Sequence, residues 1–409
     1  MNQIEAYFQD LAQIHSTGAA APETSYYGAL EKLLNEIGKT LKPKVRCVLQ
    51  LSNCGAGIPD GGLFTANQFQ KGSPLPGQFP ERGVIEIKAT NDDAWVTASS
   101  KQVSKYWAKY GLILVTNYRD FVLLGKDANG QPLKLETYRL ADNESDFWLL
   151  AQHPHRAANL HGQRFIEYLK RVALHAAPLS TPEDVAWFLA SYARDAKSRI
   201  EGVQLPALST VRQALEEALG LKFEGPKGER FFRSTLIQTL FYGIFSAWVL
   251  WNKQNPPGNS SSKFDWKPAA WSLHVPILRV LFEQVAAPTK LEPLGLVEPL
   301  DWASATLNRV DRKAFFATFD QGHAVQYFYE PFLQQFDPKL RKELGVWYTP
   351  PEIVKYMVSR VDTVLREELA IEDGLADPRV YVLDLGGGTG AYLVEVLHRI
   401  HETLSMKLS

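Results

Sequence analysis

The sequence predicts an α/β region at its N-terminal end, an all-helical middle, and near its C-terminal end the opening strand, turn and helix of a second α/β fold. Three observations carry this prediction. Residues 1–150 alternate helical periodicity with short β-branched runs, and residues 151–343 place apolar side chains at helical spacing throughout. Residues 344–409 set the turn Asp384-Leu-Gly-Gly-Gly-Thr-Gly390 between a Val-Tyr-Val-Leu run and a helical pattern. At 409 residues, 45% apolar and 22% charged, the chain has material for two or three packed domains and no sign of global disorder.

In order along the chain, helical patterns at Ile4 to Ile14 and Tyr26 to Leu41 precede strand-like runs at Val45 to Leu51, Gly61 to Thr65 and Val84 to Lys88. A helix at Ala94 to Tyr110 and strands at Leu112 to Thr116 and Phe121 to Gly125 complete the first region. The stretch from Asn67 to Gly83, rich in Gly, Pro and Gln, reads as a surface loop joining two strands. The middle shows helical spacing through Phe165 to Ala173, Val185 to Ala193, Val211 to Leu219, Phe231 to Trp251, Ile277 to Val285 and Val325 to Phe336. Within it, the Pro-, Gly- and Ser-rich segment 255–263 reads as a mobile loop, and no internal repeat is found.

Composition bounds the function. A net charge of −1 means that affinity for nucleic acid must come from local basic patches. Cys47 and Cys54, with no histidine pattern nearby, are too few for a disulfide framework and suit neither a zinc site nor an oxidising compartment, so a cytoplasmic setting is expected. The N-terminus lacks a basic segment followed by an apolar one, which argues against a secretory signal. The longest uncharged stretch, Ser234 to Asn252, is interrupted by Gln238, Thr239 and Ser246, and its apolar portions fall short of the roughly 20 residues a bilayer crossing needs. A buried helix is expected there, and no membrane partner.

The first chemical constellation lies in the α/β region. Asp60 stands at the start of a strand, and Glu86-Ile87-Lys88 near the end of another; period 2 puts Glu86 and Lys88 on one face. Asp60 and Glu86 offer hard oxygen ligands for a divalent metal, the Ile87 carbonyl adds a third, and Lys88 can position an attacking water or offset phosphate charge. That is chemistry suited to phosphodiester hydrolysis. Glu31, on the preceding helix, can orient a metal-bound water from the other side. On the following helix Gln102 and Tyr106 share a face, as do Lys101, Lys105 and Lys109, a basic row able to meet DNA phosphates. An Asp before two glycines is also a common turn, and Glu-x-Lys on a strand is also a solvated pair. It is the order and context of these residues, over roughly 20 to 125, that resemble the PD-(D/E)xK nuclease superfamily, in its RecB-like branch with a Q-x-x-x-Y element. The resemblance implies Mg²⁺- or Mn²⁺-dependent cleavage of double-stranded DNA, with Asp60, Glu86 and Lys88 as the core and Glu31, Gln102 and Tyr106 in support.

The second constellation is Gly345-Val-Trp-Tyr-Thr-Pro-Pro-Glu352, followed about thirty residues later by the glycine turn. Locally, Thr349 suits a helix N-cap, Pro350 and Pro351 the first turn, and Glu352 a capping box. Capping does not account for the aromatic pair before it. The two elements resemble motif X and motif I of amino-group DNA methyltransferases that use S-adenosylmethionine, a Rossmann-like fold. The resemblance implies that Tyr348, Thr349 and Pro350 line the methionine side of the cofactor. It also implies that Gly386, Gly388 and Gly390 let the backbone approach it and that Asp384 closes the strand.

A nuclease domain (1–150), a helical connector (151–343) and the N-terminal part of a methyltransferase (344–409) together resemble single-chain restriction–modification enzymes of Type IIG and Type ISP, which methylate adenine N6 and cut unmethylated DNA. The Asn/Asp-Pro-Pro-aromatic motif that holds the flipped base does not follow the glycine turn, and no helicase loop is present. The expectation is therefore a nuclease and connector with a truncated methyltransferase. Two alternatives stay open: a methyltransferase subunit completed by a second polypeptide, and a non-catalytic DNA-binding scaffold. A lone parallel strand cannot bury both faces, so residues 378–409 are expected to pack on the helical part or to expose apolar surface.

Overall fold

The computed structural model describes residues 2–51, 57–70, 73–75, 77–126, 131–201, 206–256, 262–268, 273, 279, 282–283, 285–319, 328–343, 349–387 and 390–408. The chain divides into two compact units, the first comprising 1–178, 191–251 and 263–306, the second 179–190, 252–262 and 307–409. The α/β region thus shares one unit with many of the helices of the middle.

The first unit is organised by a six-stranded sheet whose spatial order follows the chain: β1 (Val45–Leu49), β2 (Gly61–Thr65), β3 (Val84–Ile87), β4 (Ile113–Thr116), β5 (Asp120–Lys126) and β6 (Pro132–Arg139). All neighbours are antiparallel except β3 and β4, which run parallel with Val84 opposite Ile113 and Ile87 opposite Thr116. A parallel pair needs a crossover, and helices α3 (Ala94–Ala98) and α4 (Lys101–Tyr110), numbered after α1 (Gln3–Ser16) and α2 (Tyr27–Gly38), supply it. The single helix expected from Ala94 to Tyr110 is broken at Ser99-Ser100, because the Ser100 hydroxyl accepts from the Val103 N–H and starts a new helix. In the loop expected from 67 to 83, Thr65 and Gln68 form a capping box over one helical turn, and Phe69–Gln70 pairs with Ser73–Pro74 in a two-residue ribbon.

Alternation along the strands builds two cores. Val84, Ile113, Val115, Val122 and Leu124 meet Ala94, Ala98, Val103 and Tyr106 of α3 and α4. On the opposite face Phe121 packs on Phe165, ring centroids 4.8 Å apart, which belongs to α6 (Pro154–Leu174) and follows α5 (Glu144–Ala151). Side chains of neighbouring helices bond to both edge strands. At β1, the Asn35 side chain of α2 accepts from Cys47 N–H and donates to Cys47 O, both at 3.0 Å, and Glu31 accepts from Leu49 N–H at 3.2 Å. Behind β6, fully buried Arg171 donates to Glu136 at 2.9 Å, Ser191 at 3.1 Å and Asp195 at 3.4 Å, while Tyr192 donates to Glu136 at 2.7 Å. This ionic core joins the sheet to α6 and α7 (Pro182–Ile200).

The helical middle continues with α8 (Pro206–Leu219) and α9 (Gly225–Gln254). By length and composition α9 alone among the described residues is a candidate membrane span, with mean hydropathy 1.2. Its Phe232, Leu236, Leu240, Phe241, Ile244 and Trp248 are buried in protein, which makes it the core helix that the interrupted apolar run predicts.

In the second unit, α10 (Pro351–Glu367) and α11 (Ala391–Leu408) pack around Val354, Val358 and Leu375. A buried carboxylate, Asp362, organises them: it accepts from Arg366 and Arg399 at 3.0 Å and from the Leu375 N–H at 2.8 Å. Gly374, at φ +55°, passes so close that a Cβ there would lie 2.0 Å from the Asp362 carboxylate. Two local expectations are corrected here. Helix α10 starts at Pro351: Pro351 steers Pro350 into extended backbone, which makes Pro350 the N-cap, and a proline side chain has no acceptor to cap with. The strand expected at 380–383 does not form: Tyr381 is 92% exposed, Leu383 81% and Leu385 91%, since no neighbouring strand pairs with this run among the described residues. The helix expected after the glycine turn is present as α11.

Candidate functional site

The end of the β2–β3 ladder brings the first constellation together. Gly61 pairs with Ile85, so Asp60 stands just beyond the last ladder pair; its Oδ2 accepts from the Ile87 N–H at 2.7 Å. Its Oδ1 accepts from the Tyr27 hydroxyl at 2.9 Å. Glu86 and Lys88 lie on the face that β3 turns toward α3 and α4, and the Lys88 ammonium returns to Glu86 Oε1 at 2.6 Å and to the Ile87 carbonyl at 3.0 Å. Glu86 is 1% exposed, and its second oxygen, Oε2, is buried with no hydrogen-bond partner.

A buried carboxylate with an orphan oxygen is expensive. Burial pushes the Glu86 carboxyl up to about 7, against the pull of the Lys88 hydrogen bond and with a further push from the Asp60 charge. For Lys88, burial favours the neutral form, yet the hydrogen bond and charge of Glu86 prevail and hold its pKa above the ordinary value. Tyr27 is raised by burial and by the Asp60 carboxylate beside it, so its hydroxyl stays protonated and donates.

The supporting residues divide. Tyr106 donates to the Ile58 carbonyl at 2.9 Å and receives Gln102 Nε2 at 3.2 Å, fixing the segment just ahead of Asp60. Gly57, at φ +107°, lets that segment pass the ring: a Cβ there would meet Tyr106 at 2.9 Å. Lys101, Lys105 and Lys109 are exposed on α4, as expected. Glu31 instead serves the β1 edge, and the acid that reaches the site from the N-terminal side is Glu23. Its carboxylate lies 3.3 Å from the Tyr27 hydroxyl, and its charge acts on Glu86 and Lys88. Glu23 precedes a single helical turn, Thr24–Tyr26, and carries no spacing relation to Asp60 that sequence periodicity could detect. Among the described residues no three His, Cys, Asp or Glu side chains form a metal-holding group; Glu86 Oε1 and the Ile87 carbonyl both accept from the Lys88 ammonium, and Glu86 Oε2 is left without a partner.

For the second constellation, Thr349 and Pro350 lie directly before α10, while Tyr348 and Gly388 lie outside the described residues. Asp384 Oδ1 accepts from the Gly386 N–H at 3.1 Å, and its Oδ2 is buried without a partner. Gly390, at φ +77°, and Gly386 have nothing within 4 Å of a Cβ, leaving the backbone of the turn open to close approach.

Comparison with known proteins bears on the second constellation. The sequence model of the N-6 DNA Methylase family matches residues 320–407, a segment that begins upstream of 344 and contains both the Thr349-Pro350 element and the glycine turn. A search of curated proteins returned no match. Among solved structures, the cryo-EM structure of a DrdV–DNA complex is similar at 22% identity with a TM-score of 0.34, over 99% of this chain. The chain spans 35% of the length of that protein.

Proposed function

We propose that this chain is the nuclease and connector part of a restriction–modification enzyme, acting on double-stranded DNA in the cytoplasm and continuous with the cofactor-binding beginning of an adenine-N6 methyltransferase. In this reading residues 1–150 hydrolyse the phosphodiester bond, 151–343 connect, and 344–409 contribute to S-adenosylmethionine binding through Thr349, Pro350, Asp384, Gly386 and Gly390. The observation that carries the nuclease assignment is the buried Glu86 carboxylate, whose Oε2 lacks any protein partner beside Asp60 and Lys88. A purely structural ion pair would satisfy both oxygens.

The donor set of two carboxylates and a backbone carbonyl suits a hard divalent cation such as Mg²⁺ or Mn²⁺, held by Asp60, Glu86 and Ile87. When bound, such an ion polarises a phosphate oxygen and lowers the pKa of water. The protein's own part follows from its contacts. Tyr27 and the Ile87 N–H hold Asp60 in one orientation. Lys88 keeps its positive charge beside Glu86, in place to meet a phosphate oxygen or orient a water. Tyr106 and Gln102 fix the Ile58 segment that delivers Asp60.

The test is cleavage of unmethylated plasmid with Mg²⁺ or Mn²⁺ beside Asp60→Ala and Lys88→Ala. Cutting lost in both variants supports the assignment; cutting kept in either overturns it. A second reading, a methyltransferase subunit completed by a second polypeptide, is favoured by the exposed run Tyr381–Leu385. Co-purification of a chain that covers this run would support it.

A further inference from the structure

One side of the sheet in the first unit collects cations from three separate elements. Lys101, Lys105 and Lys109 line the outside of α4, Lys126 ends β5, and Lys134 and Arg139 stand on the edge strand β6. Several are held over aromatic rings. Lys134 lies 4.8 Å from the Trp95 ring centroid and Arg139 5.8 Å, Lys126 lies 5.5 Å from Trp107, and Lys109 4.4 Å from Phe79. The rings are themselves fixed: Trp95 and Trp107 pack against the α3–α4 core, and Trp107 Nε1 donates to the Gly125 carbonyl at 2.8 Å.

The charges are unequal in what faces them. Arg139 is matched by Asp120 and Asp142, whereas among the described residues Lys101, Lys105, Lys126 and Lys134 form no ion pair. The patch therefore carries uncompensated positive charge although the whole chain has a net charge of −1. It lies on the sheet face toward which Glu86 and Lys88 point, and Lys105 is the neighbour of Tyr106, whose hydroxyl bonds to the segment ahead of Asp60.

We infer that this surface is a track for the sugar–phosphate backbone of duplex DNA, carrying it across α4 and the β5–β6 edge to the candidate nuclease site. Fixed ammonium groups on three elements meet phosphates without the ordering cost of free lysines. Because cations already sit over the rings, the aromatics set the positions of charges and do not offer open faces for stacking bases, which favours a duplex over a single strand. The inference rests on the reading of this unit as acting on DNA, and adds the path the substrate takes.

Binding of a fluorescent unmethylated 30-base-pair duplex of mixed sequence, measured in EDTA across a salt series, tests the surface without any cleavage. The chain carrying Lys105→Gln, Lys126→Gln and Lys134→Gln is compared with the unchanged chain and with Lys32→Gln, an exposed lysine on α2. At roughly 0.9 in slope per neutralised phosphate, the triple variant's log–log salt slope falls by between about 2 and 3, while Lys32→Gln leaves it in place. An unchanged slope in the triple variant overturns the proposal, as does tighter binding of a 30-base single strand than of the duplex. Failure of the nuclease reading looks different: the slope falls as expected, yet Mg²⁺ or Mn²⁺ yields no cutting.

Discussion

Replacing Glu86 by Gln should make the protein more stable at pH 8 and leave it almost unchanged near pH 4.5. Burial raises the Glu86 carboxyl from an ordinary 4.5 to about 7, which at about 1.4 kcal/mol per factor of ten corresponds to roughly 3 kcal/mol. The sign follows from proton counting. Between pH 4.5 and about 7 the unfolded chain has released a proton that the folded chain keeps, so stability falls as pH rises through this window. Above about 7 the full penalty is present, and below 4.5 both states are protonated and there is none. Gln resembles the protonated acid in shape and carries no charge, so it escapes the penalty at every pH. Urea unfolding followed by tryptophan fluorescence at pH 5 and pH 8 measures the difference. If Glu86 helps hold a divalent cation, Mg²⁺ or Mn²⁺ at about 100 times its dissociation constant returns about 2.7 kcal/mol to the unchanged protein at pH 8, and much less to the variant. An equal stability difference at both pH values, or a variant less stable at pH 8, would refute the account of Glu86 as a strained, ligand-seeking carboxylate.

Four further outcomes follow, the first two on the nuclease reading proposed above. Glu23→Gln should lower cleavage about 10- to 100-fold in a plasmid assay, the scale of losing a partner that orients a ligand. Glu31→Gln should leave cleavage within about twofold and cost roughly 1 kcal/mol in urea unfolding, because its carboxylate serves the Leu49 N–H. Arg171→Met should cost about 3–5 kcal/mol in the first unit by stranding buried Glu136, and adding Glu136→Gln should recover much of it. Gly374→Ala should destabilise the second unit by about 3 kcal/mol or more, since it sets a Cβ against Asp362 at a positive φ; faster tryptic cutting between 349 and 408 would register the loss.

How much was legible in the sequence depended on whether the relevant physics was local. Strands β1 to β5 announce themselves because short β-branched and apolar runs feed the faces of the sheet. Strand β6, Pro132-Leu-Lys-Leu-Glu-Thr-Tyr-Arg139, went unread because its buried partner is ionic: Glu136 turns inward to Arg171, which apolar periodicity scores as a solvated position. Asp60, Glu86 and Lys88 come together as their strand positions imply. The exchange of Glu31 for Glu23 was invisible, because residue type on a helix does not say which of several backbone groups a carboxylate will meet. The run at 380–383 shows the reverse case. Its β-branched and aromatic residues favour a strand, but strand formation is a property of a pair, and propensity cannot supply the partner.

The two constellations therefore stand on different physical footings. Asp60, Glu86 and Lys88 are positioned by a sheet whose edge strands are both tied to helices, β1 through the Asn35 and Glu31 side chains and β6 through the Arg171 network. Nothing outside that unit is needed to aim them. The glycine turn follows a run that pairs with no strand among the described residues, and the Asp362 cluster ties α10 to α11 nearby. Its backbone can be approached, but Asp384 Oδ2, buried without a partner, has no strand to set its direction. Asp60→Ala should consequently leave the second unit's protection from amide exchange unchanged, and Asp362→Asn should leave metal-dependent cutting unchanged while loosening α10 and α11. Loss of cutting in Asp362→Asn would mean that the proposed nuclease residues are aimed by more than their own sheet.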